Sequence, residues 1–286
     1  MGFNHTGTKL LIHAKAKGLS FGRTVMIGRQ GLHLSAEVLQ RNLDDFGLGH
    51  LNAEEIITGE KGYAEPFLKA LGATAVDSLD ASPYEQASII HDMNLPMDGE
   101  HKGAFDTVID GGSLEHIFNF PVAIRNCMEL LKVGGHYLGI TPANNFFGHG
   151  FYQFSPELYY RVFSKENGFE MTRLLFFIDR PGADWYEVKD ADEVRERVTL
   201  VNGHPSYLFV MARRTAAKQI FAVAPQQSDY QNMLWKDGHA TIGPDSRGLL
   251  VRVMDRLARL WPDAKVSGTK PIGVSNAQHF RKVTFK

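Results

Sequence analysis

Short, continuously apolar segments alternate with stretches of helical periodicity along the first two thirds of the chain. RTVMI at 23–27 predicts a buried strand, followed by a turn over 28–31. Ser35 is placed to cap a helix over 36–46, with Leu39, Leu43 and Phe46 on one face and Gly47 as its stop. The stretch from 47 to 62 is less regular. A short helix is predicted over 65–71, with Pro66 tolerated in its first turn and Gly72 ending it. Further strands are predicted at 73–79, 88–90, 107–109 and 137–140. A helix over 121–131, carrying Val122, Ile124, Met128 and Leu131, and a turn at 132–135 precede the last of these. Ser155 and Pro156 open a helix reaching 163, and segments 174–178 and 207–211 supply two more strands. Strands that are apolar throughout suit a parallel sheet covered on both faces. Their alternation with helices predicts an α/β fold.

Beyond Arg214 the texture changes. Residues 221–246 mix Pro, Gln, Asp and Gly, and 248–261 then reads as an amphipathic helix with Leu250, Val253, Met254, Leu257 and Trp261 on one face. The chain therefore divides into an N-terminal segment (1–19), a main domain (20–215) with an insertion at 34–63, and a C-terminal extension (216–286). Residues 241–286 hold nine Lys or Arg against three Asp. That suits a helix docked on the main domain, a dimer element, or a basic flap over an anionic substrate.

The whole chain carries a formal net charge of −1, which gives no general reason to expect nucleic acid as a partner. The lone cysteine, Cys127, excludes an intrachain disulfide and a cysteine-based zinc cluster; it falls in a helical pattern and is expected to be buried. No leader-like apolar segment is evident, and no apolar run approaches the length of a membrane span, so a cytoplasmic location is expected.

In an open parallel sheet, ligands bind beyond the carboxyl ends of the strands. Four predicted strands end in polar or glycine-rich segments, at 28–31, 80–82, 92–94 and 110–113. Asp80 can accept two hydrogen bonds from ribose hydroxyls and Asp92 one from an adenine amino group, because ionised carboxylates are pure acceptors. Beyond Asp110, Gly111 and Gly112 permit close backbone approach. Ordinary turn and capping chemistry is the competing reading for both carboxylates. His116 and His149 are the candidate bases toward a hydroxyl, or groups that orient a substrate. Glu115 is read as a brace for its loop, and Tyr152 and Phe154 as acceptor-pocket or core residues. The histidines are scattered with no HExxH pattern, so no metal site is expected.

The segment FDTVIDGGSLEHIFNFPVAIRNCMELLKVGGHYLGITPAN resembles the class I S-adenosylmethionine-dependent methyltransferases, especially their small-molecule group. Phe105, Asp106, Val108, Leu114, Glu115 and His116 match the family's fourth strand and loop. Leu130, Leu131, Gly134 and Gly135 match its next helix end and turn, and Ile140 and Pro142 its fifth strand. The resemblance spans about 190 residues and implies a Rossmann-like sheet with a final antiparallel strand. It also implies S-adenosylmethionine as cofactor, Asp80 on its ribose, Asp92 and Met93 at its adenine, and Gly28, Arg29, Gln30, Asp110 and Gly111 around it. The reaction implied is methyl transfer to a small-molecule acceptor, such as a sugar or metabolite hydroxyl or amine, in a monomer or homo-oligomer.

The first family motif, [DE]xGxGxG, is altered. Gly28 stands, but Met26 replaces the acid, and Gln30 and Leu32 replace two glycines. Arg29 or Gln30 is positioned to compensate, since arginine suits carboxylates. This departure keeps open a non-catalytic binding or assembly protein of the same fold. A nicotinamide-dependent oxidoreductase is disfavoured because GxGxxG is absent after the first strand. A nucleic-acid methyltransferase has only the basic C-terminal part in its favour.

Overall fold

The computed structural model describes residues 2–230 and 279–283, apart from 179, 181, 196, 201 and 229. The helix expected over 248–261 lies outside the described residues. In chain order the elements are β1 (Gly2–Phe3), α1 (His5–Ala16), β2 (Gly22–Ile27), β3 (Gly31–Leu32), α2 (Ala36–Asp45), α3 (Ala53–Thr58), α4 (Glu65–Ala70), β4 (Ala73–Asp80) and β5 (Ile89–Ile90). They continue with β6 (Phe105–Asp110), α5 (Phe120–Leu130), β7 (Leu131–Asn144), α6 (Pro156–Val162), β8 (Phe169–Ile178), β9 (Trp185–Val188), α7 (Ala191–Val194), β10 (Ser206–Arg214) and β11 (Phe280–Val283).

Nine strands form one sheet in the order β11-β9-β8-β10-β7-β6-β2-β4-β5. The half from β5 to β7 is parallel, while β10 runs antiparallel between β7 and β8. The expected Rossmann-like α/β sheet is present; the antiparallel strand expected to close it is β10, and β9 and β11 add further antiparallel pairs. From β2 the chain goes outward through β4 to β5, then returns to β6 on the other flank of β2. That reversal lies at the carboxyl ends of β2 and β6, the place where such sheets bind ligands.

Alternation along the central strands divides the apolar side chains between two cores. Val25, Ile27, Val108 and Tyr137 face a layer containing α5 and α6, packed with Phe120, Ile124, Cys127, Met128 and Tyr159. Met26, Ile109 and Leu138 face a layer of α1 to α4, packed with Leu10, Leu11, Leu39, Leu43 and Phe67. Cys127 is buried and free, as expected. The predicted caps are present: Ser35 Oγ accepts from Val38 N and Ser155 Oγ from Leu158 N, each at 3.4 Å. Each removes an orphan donor from a helix start.

Leu10, Leu11 and Ile12 of the N-terminal segment pack into the core beneath the sheet. Asn4 caps α1, accepting from Gly7 N at 3.0 Å, and β1 pairs in parallel with β3, next to the first loop. The irregular stretch of the insertion contains α3, capped by Asn52. The turn predicted at 132–135 lies inside the long strand β7; Gly134 takes a φ of 93° and the β6–β7 register shifts across it. Residues 132–135 thus form a bulge that keeps pairing on both sides.

Candidate functional site

The carboxyl end of β2 is closed by a hydrogen-bonded knot. Gly28 takes a φ of 72° and its N–H donates to Leu79 O of β4 at 2.7 Å. Gln30 is fully buried; its Nε2 donates to Ile27 O at 2.7 Å and to Ser113 Oγ at 3.2 Å. Ser113 Oγ in turn donates to Ile27 O at 2.6 Å. Gln30 therefore ties the first loop to the loop after β6. Its Oε1 is buried and has no hydrogen-bond partner. Arg29 turns away from this knot. It pairs with Glu65 at 2.7 Å, donates to Glu85 O at 3.0 Å and stacks on Tyr63, 4.0 Å from the ring centroid.

Asp80 and Asp92 sit at adjoining strand ends, joined by a hydrogen bond from His91 N to Asp80 O at 2.8 Å. Asp80 Oδ1 accepts from Ser82 N at 3.0 Å. Asp92 is exposed and accepts from both the backbone and the side chain of Asn94, which holds its carboxyl below the usual carboxylate range. Met93 is buried in the core beside Asn126.

Asp110 is fully buried beneath the next loop. Its Oδ1 accepts from Ser113 N at 2.8 Å and Leu114 N at 3.4 Å, and Tyr137 donates its hydroxyl to Oδ2 at 3.3 Å. It shapes the segment from Gly111 to His116 from within. Gly111 is crowded: a β-carbon there would stand 2.7 Å from the Phe3 ring and 2.8 Å from Gln30 Oε1. The close approach that glycine allows is taken up by these two side chains.

Glu115 follows in a single 3-10 turn and is only 2% exposed. Its carbonyl accepts from Phe151 N at 2.7 Å and Tyr152 N at 3.3 Å, docking the loop between β7 and α6 onto this turn. Docking places His149 Nε2 3.6 Å from Glu115 Oε1 and the His149 ring 4.9 Å from that of His116. Burial, reinforced by the charge of nearby Asp110, pushes the Glu115 carboxyl well above the usual range. Burial and then His149 lower His116.

A cavity of about 190 Å³ opens here, lined by Gly111, Gly112, Glu115, His116 and His149 together with the apolar Phe3, Ile140, Phe177 and Tyr207. It gathers three sequence candidates: Gly111, His116 and His149. Gly28, Asp80, Asp92 and Met93 do not line it. Phe154 lies 3% exposed in an aromatic cluster with Phe120, Tyr152 and Tyr159, and Tyr152 donates its hydroxyl to Phe118 O at 2.6 Å. Two larger open clefts, of about 450 and 590 Å³, flank Arg161 and include none of the sequence candidates. Glu115, read from sequence as a brace, is both a brace through its backbone and a cavity group through its side chain. The LEH triplet was its only sequence signal.

Among the described residues no helix is long and apolar enough to cross a membrane. No family model matches the chain, and no curated protein matches it. Among solved structures it is similar to the 1,6-didemethyltoxoflavin-N1-methyltransferase of Burkholderia thailandensis, crystallised with 1,6-didemethyltoxoflavin and S-adenosylhomocysteine. Identity is 14%, coverage 74% of this chain and 78% of that one, and the TM-score 0.43. An S-adenosylmethionine-dependent methyltransferase from Mesorhizobium loti is 14% identical over 71% of this chain and 95% of that one, with a TM-score of 0.37. The branched-chain polyamine synthase of Thermus thermophilus is 13% identical over 75% and 58%, also at 0.37. Likeness at this level does not extend to activity.

Proposed function

We propose that the chain transfers a methyl group from S-adenosylmethionine to a small-molecule acceptor, a hydroxyl or amine of a sugar or related metabolite. The observation that carries this reading is the run of polar groups along the carboxyl edge of the parallel strands, from β5 and β4 to β6. Two acceptor carboxylates, Asp80 and Asp92, stand at neighbouring strand ends, and the Glu115–His116–His149 cavity opens beside Gly111.

The residues fit the cofactor's donors. Asp80 suits the ribose hydroxyls and Asp92 the adenine amino group. Gln30 Oε1, buried without a partner, supplies an acceptor for the cofactor's ammonium group, a task the altered motif otherwise leaves unfilled. When bound, the cofactor supplies an electrophilic methyl on a sulfonium. The chain's own task is then to align an acceptor and exclude water. His149 and His116 face the cavity, where they orient the nucleophilic atom and receive its proton. The small cavity volume favours a compact acceptor.

Calorimetric titration of the purified chain with S-adenosylhomocysteine tests the reading. Saturable binding that weakens in Asp80→Asn is expected. Absence of binding to folded protein would overturn it.

One observation favours a second reading, a non-catalytic binding or assembly protein: Phe3 and Gln30 fill the space in front of Gly111. A structure after soaking with the demethylated cofactor separates the two. Density beside Asp80 with Phe3 displaced supports the enzyme; an unchanged, closed crevice supports the alternative.

A further inference from the structure

We infer that Glu115, His116 and His149 form a binding site for one divalent transition-metal ion, facing the cavity. Each residue offers one ligand atom, and the three atoms lie within 4.8 Å of one another. In tetrahedral coordination with bonds of about 2.0–2.2 Å, ligand atoms sit roughly 3.3–3.6 Å apart, so closure needs a shift of about 1 Å. His116 and His149 are exposed and able to make that shift by side-chain rotation.

A second observation points to a ligand independently of this spacing. Glu115 is 2% exposed, and its Oε2 is buried with no hydrogen-bond partner. A buried carboxyl oxygen with no hydrogen-bond partner is costly, and coordination to a metal is one way such a group is satisfied. Two glycines leave room for the Glu115 side chain. A β-carbon at Gly112 would stand 3.2 Å from its Oε1, and one at Gly150 would stand 3.2 Å from its Cγ. Glu115 Oε1 lies 3.6 Å from His149 Nε2.

The donor set selects the kind of ion. Two imidazoles and one carboxylate suit zinc, cobalt or nickel better than magnesium or calcium, which prefer all-oxygen sites. Three protein ligands leave a coordination position open toward the cavity, the pattern of a reactive rather than a purely structural site. A hydroxyl entering that position would become more acidic and more nucleophilic, taking over the proton-accepting task of the free imidazoles. Metal binding is a property of these side chains alone and does not rest on methyl transfer.

The test is titration of chelator-treated, full-length protein with Co²⁺, read by visible d–d absorption, and with Zn²⁺, read by calorimetry, without any cofactor present. One equivalent is expected to bind at micromolar affinity or tighter. His149→Ala and Glu115→Gln are each expected to weaken binding about tenfold or more. His50→Ala, at an exposed residue outside the cavity, is expected to leave it unchanged. No binding to native protein, or binding that survives both His149→Ala and Glu115→Gln, overturns the inference. His149 is exposed, so its variant is expected to fold. Failure of S-adenosylhomocysteine to bind would leave this result standing.

Discussion

Gly150 approaches Glu115 so closely that a β-carbon added to it would lie 2.7 Å from the Glu115 carbonyl oxygen. Gly150 also takes a φ of 67°, where L side chains are strained. Gly150→Ala must therefore lift the loop that carries His149. Thermal denaturation is expected to show a loss of about 1–2 kcal/mol. Co²⁺ affinity is expected to fall with it, because His149 leaves Glu115. An unchanged melting temperature and unchanged Co²⁺ spectrum would show that the docking is not fixed by this contact.

Gln30 makes a prediction of the opposite kind, in which a similarly shaped side chain separates chemistry from space. Gln30→Met retains length but loses the amide. S-adenosylhomocysteine affinity is expected to drop about tenfold, equivalent to about 1.4 kcal/mol, through loss of the Oε1 acceptor. Stability should fall by about 1–2 kcal/mol because Nε2 no longer bonds Ile27 O and Ser113 Oγ. Tighter binding in the variant would identify Gln30 as an obstruction.

Arg29 is tied to Glu65 of α4, Glu85 O and Tyr63, away from the knot around Gln30. Arg29→Met is expected to cost about 2 kcal/mol by urea denaturation, since Glu65 loses its partner in a half-buried setting. Cofactor affinity measured well below the denaturation midpoint should change little. A selective loss of affinity at unchanged stability would return Arg29 to the cofactor's carboxylate.

His13 sets an acid limit on stability. It lies buried on α1 between the rings of Phe46 and Trp185. Burial, with Arg173 and Lys17 adding to it, lowers its pKa to about 4. The unfolded chain takes up this proton near pH 6.5, the folded chain only near 4. Its contribution is thus fully present above about pH 6.5 and is lost as pH falls toward 4, by up to about 3 kcal/mol. Urea midpoints measured from pH 7 to 4.5 should fall more steeply for the native chain than for His13→Leu. Parallel slopes would remove His13 as the cause.

The parallel half of the sheet was legible because each strand carries its own signal. FDTVID buries Phe105, Val108 and Ile109 as its apolar signal, and Ser35 and Ser155 mark helix starts by side-chain chemistry alone. Helix α1 gave no comparable signal: Gly7 and two threonines weaken its propensity, and residues from Thr6 to Ala14 are buried nearly all round, which erases an amphipathic stripe. Strand β9 is four residues long and its outer partner, β11, lies far along the chain, so no local pattern announces the pairing. The same limit applies to the candidate site. Asp80 and Asp92 were readable as strand ends. The proximity of Glu115 to His149 depends on a loop docking through Gly150, a distance relation with no sequence period. The crowding of Gly111 by Phe3 was equally illegible, because it depends on β1 pairing with β3.

The position of β10 between β7 and β8 bears on how the molecule is assembled. The strand that joins the sheet's parallel half to β8 comes after both of its neighbours in the chain. Until residues 206–214 emerge and insert, β7 and β8 each present an open edge of unpaired amides to the surroundings, and the pairing that closes them is non-local. Chains arrested before this point would expose the sheet at its centre rather than its rim, so the β7 edge is where self-association of incomplete or slowly folding molecules should begin.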